Sequence, residues 1–284
     1  MKKAIILLLL VSIAKLSTVS VAYGQDVLDG IYVKEHVPAR TPIPYYALRE
    51  ADVMWSKKLW RILDLREKIN HTLYYPTTNM DDRMSLINLL IYGMEKQNLL
   101  LFDAQASDEF DVPLTMEQLD ANLGKKDKQS SVENEDGTVE EKIVAGSRKP
   151  EEVMRYMMKE VWYFDKQKAR MDVRIVGLCP IRTYYREEDT DQLDMQKTQI
   201  FWAYFPAIRT LLANHEVFNS FNDAERRTFD DIFMKRVFSS YVFQETNVYD
   251  NRRIDQYSLG LDAIVESERI KADIFKLEHD LWEY

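Results

Sequence analysis

Residues Ile200–Arg209 read IFWAYFPAIR, and this run restricts the fold more than any other. In an extended strand Phe201 and Phe205 lie on one face, and Trp202 and Tyr204 on the other. Large rings on both faces require a strand buried from both sides, or one face in a core and the other beneath a partner. Pro206 has no N–H to give to a ladder, so the strand bulges or ends there. The β-branched run MDVRIVGLCPIRTYY just upstream (171–185) is a second strand. The two pair as a long hairpin over about residues 170–212. No polar catalytic group stands among the four rings, so they read as structure rather than as a ligand wall.

Helical periodicity fills much of the remainder. Residues 48–69 suit a helix in their first half. The second half, KKLWRILDL, fits a strand equally well, with Leu59, Arg61 and Leu63 on one face. Met84, Ile87, Leu90 and Ile91 mark a helix behind Asp81 and Asp82, where carboxylates complement the helix dipole. LLLFDA follows as a short strand. Thr115 and Gln118 have capping-box spacing, and Gly124 is a helix stop. Pro150 opens another helix, which passes into a strand at Val161–Asp165. Asn222 and Glu225 cap a helix running through Tyr241, and a last helix follows Gly260, which makes the C-terminal third helical. The fold class is α+β: mainly antiparallel strands around the long hairpin, packed with several helices. Residues 125–148 are the most polar stretch and read as a flexible insertion in a single domain spanning 48–284.

At the N-terminus Lys2 and Lys3 precede the apolar run Ala4–Ala14, and Ala22-Tyr23-Gly24 has the form of a cleavage site. Residues 1–24 are therefore expected to be a secretory signal peptide, with no lipid-accepting Cys near the cut. Residues 25–47 follow as an extended arm. Pro38, Pro42 and Pro44 forbid regular helix there, yet the arm carries apolar and aromatic side chains. Tyr32, Val33, Pro42, Pro44, Tyr45 and Tyr46 are the candidate partner interface, docking on a neighbouring chain or on their own domain.

The chemistry the chain can support is narrow. A net charge of −9 argues against general nucleic-acid binding. Cys179 is the only cysteine, lies in an apolar strand and reads as a buried small hydrophobe. His36, His71, His215 and His279 are too scattered for a zinc pair. His215 reads as a packing residue. No phosphate-binding, dinucleotide or G-x-S-x-G motif occurs, and no cofactor is implied. Asp103, Asp165 and Glu216 each follow an apolar run. A hydrolase using Asp165 with Glu216 is one alternative. A carbohydrate- or peptidoglycan-binding module using Trp162, Trp202 and tyrosines is another.

Three strings, ADVMWSKKLWRILDLREKINHTLYYP, FWAYFPAIRTLLANHEVFN and TFDDIFMKRVFSSYVFQETNVYDNRRI, resemble the gliding-motility family GldN, also called PorN. The resemblance covers nearly the whole chain after the leader. It implies a non-enzymatic periplasmic component of the type IX secretion machinery. It further implies a ring-shaped complex with the outer-membrane lipoprotein GldK/PorK, and contact with the inner-membrane motor protein GldM/PorM. The family supplies no catalytic residue to carry over.

Overall fold

The computed structural model describes Val37 and residues 39–80, 83–125, 128–133, 139–144, 146–185, 194–220, 222 and 224–281. The expected leader, Tyr32 and Val33 lie outside these residues. The class is α+β, as the periodicity implied.

The helix expected early in 48–69 is not formed. Glu50–Asp52 makes one 3-10 turn, and β1 runs from Val53 to Asp64. This strand is central, paired to neighbours on both sides, with Leu59 and Leu63 buried on one face and Trp60 and Ile62 on the other. Burial on both faces erases the alternation that identifies a strand, and the continuous apolar run then mimics a helix. A single helical turn, α1 (His71–Tyr74), follows.

Helix α2 (Leu86–Gln97) begins behind Ser85, whose Oγ accepts the Asn88 N–H, and closes at Asn98 in the left-handed region. After the short strand β2 (Leu101–Phe102), α3 (Met116–Asn122) carries the expected Thr115/Gln118 capping box. Gly124 behind it has φ +77°, and a Cβ there would lie 2.3 Å from an Arg182 guanidinium nitrogen. Gly124→Ala should therefore cost about 1–2 kcal/mol from the backbone alone. A denaturant midpoint equal to the parent's would contradict this. Inside the polar insertion, β3 (Lys128–Glu133) and β4 (Val139–Val144) pair as a separate hairpin.

The longest hairpin is β5 (Val153–Asp165) with β6 (Arg170–Tyr185), paired from Val153↔Arg182 to Asp165↔Arg170 with register shifts at Val153/Arg155 and Lys159/Glu160. The pairing expected within 170–212 also forms, on the opposite side of β6. The helix expected at Pro150 is corrected to a 3-10 turn at Pro150–Glu152. On its other side β6 meets two short strands, β7 (Met195–Gln199) and β8 (Trp202–Tyr204). Pro180 stands at the break between them. Its carbonyl accepts the Ile200 N–H, so the position of its missing N–H faces the same break, where no ladder bond is lost.

β8 ends at Tyr204 because α4 (Phe205–Ala213) takes Pro206 into its first turn, where a fixed φ and an absent donor suit a helix start. The short β9 (Glu216–Val217) and β10 (Arg227–Thr228) pair with each other. α5 (Phe229–Met234) follows, capped by Thr228 and Asp231 rather than by Asn222 and Glu225. The chain then enters β11 (Tyr241–Glu245), a strand where helix was expected, and ends in α6 (Leu261–Asp280) after Gly260. The main sheet has the order β11-β1-β5-β6-β8-β2, with β7 also on β6, and every pair is antiparallel.

The two faces of this sheet bury different cores. On one, Leu63, Tyr156, Met158 and Leu178 meet Leu89 and Leu90 of α2, Phe205 and Leu212 of α4, and Phe229 and Phe233 of α5. On the other lie Trp60, Ile62, Met157, Cys179, Ile181 and Trp202. Phe201 and Phe205 enter the first core and Trp202 the second, as alternation required. Only Tyr204 is exposed, with the Phe110 ring edge-on beside it. Ile270 and Ile274 of α6 close a third cluster over Leu59 and Val242.

Candidate binding surfaces

The arm has an anchor on its own domain. Val37 is buried. Arg40 grips Asp231 with two hydrogen bonds of 2.7 and 2.9 Å. The preceding residue of α5, Asp230, holds Arg209 at 2.9 and 3.1 Å in a buried pair, and the same guanidinium donates to the Ile43 carbonyl at 2.6 Å. Tyr45 lies across Arg209 and Arg174, at 4.7 and 5.3 Å from its ring centre. Tyr46 donates its hydroxyl to Gln167 and carries the Lys168 ammonium over its ring. Pro42 is half-buried, whereas Pro44, Tyr46 and Ile43, the last 80% exposed, face outward.

Burial pushes the Tyr45 hydroxyl up to about 12, with the charge of Arg209 opposing. A raised folded value means the stabilisation is complete below pH 10 and is lost as pH rises toward 12. Two units correspond to about 2.7 kcal/mol, which solvent screening of this half-buried ring reduces to roughly 1–2 kcal/mol. Tyr45→Phe should flatten the alkaline limb of stability between pH 10 and 12, and an unchanged slope would assign that limb elsewhere.

The residues weighed for catalysis are otherwise engaged. Asp165 accepts the Gln167 and Lys168 N–H groups in the β5–β6 turn. Asp103 accepts the Gln105 N–H in a turn of its own. Glu216 is paired with Arg226. Neither Asp165 nor Glu216 borders the cavities described below. His215 binds the Leu211 carbonyl through Nδ1 and meets the Tyr92 ring edge-on. Burial drives the Cys179 thiol far above its ordinary value. Among the described residues no three His, Cys, Asp or Glu side chains gather as a metal site. Trp202 is 1% exposed, so the exposed Trp162–Trp202 line required of a sugar-binding face is not formed.

Concave surface lies on the second face of the sheet. Two adjoining cavities of about 370 and 310 Å³ share Met157, Gln199, Phe243 and Arg253. The larger has an apolar floor at Ile62, Met157 and Ile181, with Ile264 of α6 as one wall. Arg155, Lys197 and Arg253 stand around it against a single carboxylate, Asp255. The smaller is bordered by Trp60, Asp108, Gln199, Asp250 and Arg253, with Trp202 behind. Trp60 donates its indole N–H to Asp108 at 2.9 Å, while the Trp202 indole N–H is buried without any acceptor. Lys159, itself buried, spans Asp108 and the Trp60 ring.

Two apolar surfaces share no residue. Leu259, Leu261, Val265 and Phe275 protrude from α6 and the turn before it. Ile69, Phe218 and Val237 surround a cavity of about 570 Å³ beside α5. None of these residues carries a local motif. They come from six or more elements, and only the Arg252-Arg253 pair stands out in the sequence.

The family described as "Gliding motility associated protein GldN" matches residues 48–283, from the turn before β1 to beyond the end of α6. The chain belongs to the GldN family. No curated protein matches it in sequence. For this GldN-family chain, gliding motility is the process into which its surfaces must be placed. No helix of the described residues is long and apolar enough to cross a membrane.

Proposed function

We propose that the protein is a non-enzymatic periplasmic component of the type IX secretion and gliding-motility machinery. In this reading it builds a ring with a GldK/PorK-like outer-membrane lipoprotein and contacts a GldM/PorM-like motor protein. The observation that carries it is a pair of apolar surfaces with no residue in common, one on α6 and one beside α5, on a chain of the GldN family. A head-to-tail ring needs two different complementary patches on each subunit. Exposed apolar patches of this kind are typical of interaction sites. Carboxylates committed to turns and ion pairs weigh against the hydrolase alternative.

Residues 25–47 contribute in two parts. Val37, Arg40 and Ile43 fasten the arm, Pro44 and Tyr46 offer an exposed surface to a partner, and Tyr32 and Val33 are proposed as further contacts. The decisive experiment is affinity isolation of the full chain from an outer-membrane fraction, followed by imaging of the particles recovered. The expected result is a ring containing the lipoprotein. Recovery of the chain alone, from a soluble fraction, would end this reading. Removing residues 25–36 should reduce lipoprotein recovery without changing the thermal midpoint, and undiminished recovery would remove Tyr32 and Val33 from the interface.

A further inference from the structure

We infer that the loop after β11 inserts its Val248-Tyr249 tip into the cavity beside α5 of a second copy of this chain. The inference rests on the ring-component reading above and names the contact between neighbours.

The loop is held in shape without any partner. Asn247 accepts the Tyr249 and Arg252 N–H groups on Oδ1, and its Nδ2 donates to the Glu245 and Arg252 carbonyls. The Thr246 N–H ties the base of the loop to the Lys58 carbonyl of β1. Asp250 and Asn251 take the left-handed region at φ +53° and +55°, which these two residue types tolerate better than most. That turn brings the Arg252 N–H to the Tyr249 carbonyl at 3.0 Å. The Arg252 guanidinium in turn lies over the Tyr249 and Tyr257 rings. Yet the framework buries neither residue of the tip: Val248 is 90% exposed and Tyr249 67%. A backbone already fixed in this way loses little freedom on binding, and tyrosine on such a scaffold is a frequent anchor.

The matching hollow is the cavity of about 570 Å³ bordered by Ile69, Phe218 and Val237. Its apolar walls suit the tip. Lys68 on its border and Asp250 at the tip have no ion pair among the described residues, so the two surfaces offer opposite unpaired charges.

Position decides between the loop's own cavity and another copy's. Asn70 and Ser239 bond to each other beside the cavity, where β1 has ended and β11 has yet to begin. The loop leaves from the far end of β11. The five residues of that strand separate the two by about 16 Å. A tip at one end of a strand and a hollow at the other meet between copies, head to tail.

The test begins with sedimentation velocity of the purified chain over a concentration series. Self-association is expected, weakened roughly tenfold by Tyr249→Ala, by Asp250→Lys and by Lys68→Asp. Mixing the Asp250→Lys chain with the Lys68→Asp chain should restore it, since each tip then faces a hollow of opposite charge. Thermal midpoints measured alongside identify any variant that folds poorly, and Tyr249→Ala removes only an exposed side chain. In the outer-membrane fraction, Val248→Cys with Ile69→Cys in one chain should give a disulfide-linked ladder, while either alone gives none; Cys179 is buried and does not compete. A chain that stays monomeric and gives no ladder would overturn the contact. So would association indifferent to the charge swap, or a dimer cross-linked by Val248→Cys alone. Lipoprotein recovered without a ladder would leave the ring-component reading standing, whereas a ladder without lipoprotein would leave the contact standing and end that reading.

Discussion

Arg209→Ala should lower stability by about 3–5 kcal/mol, the usual loss when one partner of a buried ion pair is removed. Its guanidinium neutralises Asp230, caps the Ile43 carbonyl and supports the Tyr45 ring, so alanine leaves a buried carboxylate uncompensated. For a domain of this size the thermal midpoint should fall by roughly 6–20 °C. The arm should loosen at the same time, which limited proteolysis near Arg40 would register as faster cleavage. Adding Asp230→Asn should recover part of the loss, because it removes the stranded charge. A midpoint unmoved by Arg209→Ala would show that the arm is held by Arg40 and Val37 alone.

The second large effect is expected at Phe205. Its ring is fully buried, edge-on to Phe233 at 5.6 Å, where the chain turns from β8 into α4. Phe205→Ala should cost about 3–5 kcal/mol through lost burial and the cavity left behind. Phe205→Leu, which keeps most of the volume, should cost less than about 1.5 kcal/mol. Equal losses for the two variants would mean that the site resists any change of shape and that volume is not what it measures.

Some of the architecture could be read directly from residues. The capping box at Thr115 and Gln118 and the helix after Gly260 depend on neighbours within a few positions, and both formed. The two-faced burial around Phe201 and Trp202 also followed from alternation alone. Strand partners followed only in part. The pairing of β6 with the Trp202–Tyr204 strand was legible, but its other neighbour was missed because β5, VMRYMMKEVWYFD, is apolar on both faces and reads as a helix until its partner is known. The same ambiguity concealed β1. YVFQE became β11 because β1 needed a second neighbour, a demand no local window contains.

The binding surfaces were less accessible still. Tyr45 was singled out for its ring in a proline-rich stretch, but its contact with Arg209 joins residues far apart in the chain. The groove brings Trp60, Met157, Gln199 and Arg253 together only through the register of four strands and a loop. No spacing in the sequence encodes that meeting.

The margins of the main sheet constrain how copies can join. β2 is two residues long and is bridged to Pro113, while β11 is backed by α6 and bridged to Arg253. β7 is five residues long and carries Lys197. Addition of a foreign strand needs a long, flat, uncharged border, and none of these supplies one. In the proposed ring, neighbouring subunits would therefore meet through side-chain surfaces, whose shapes would set the angle between copies. Such a contact closes the proposed ring where that rotation divides a full turn without a rise along the axis, and otherwise extends as a filament.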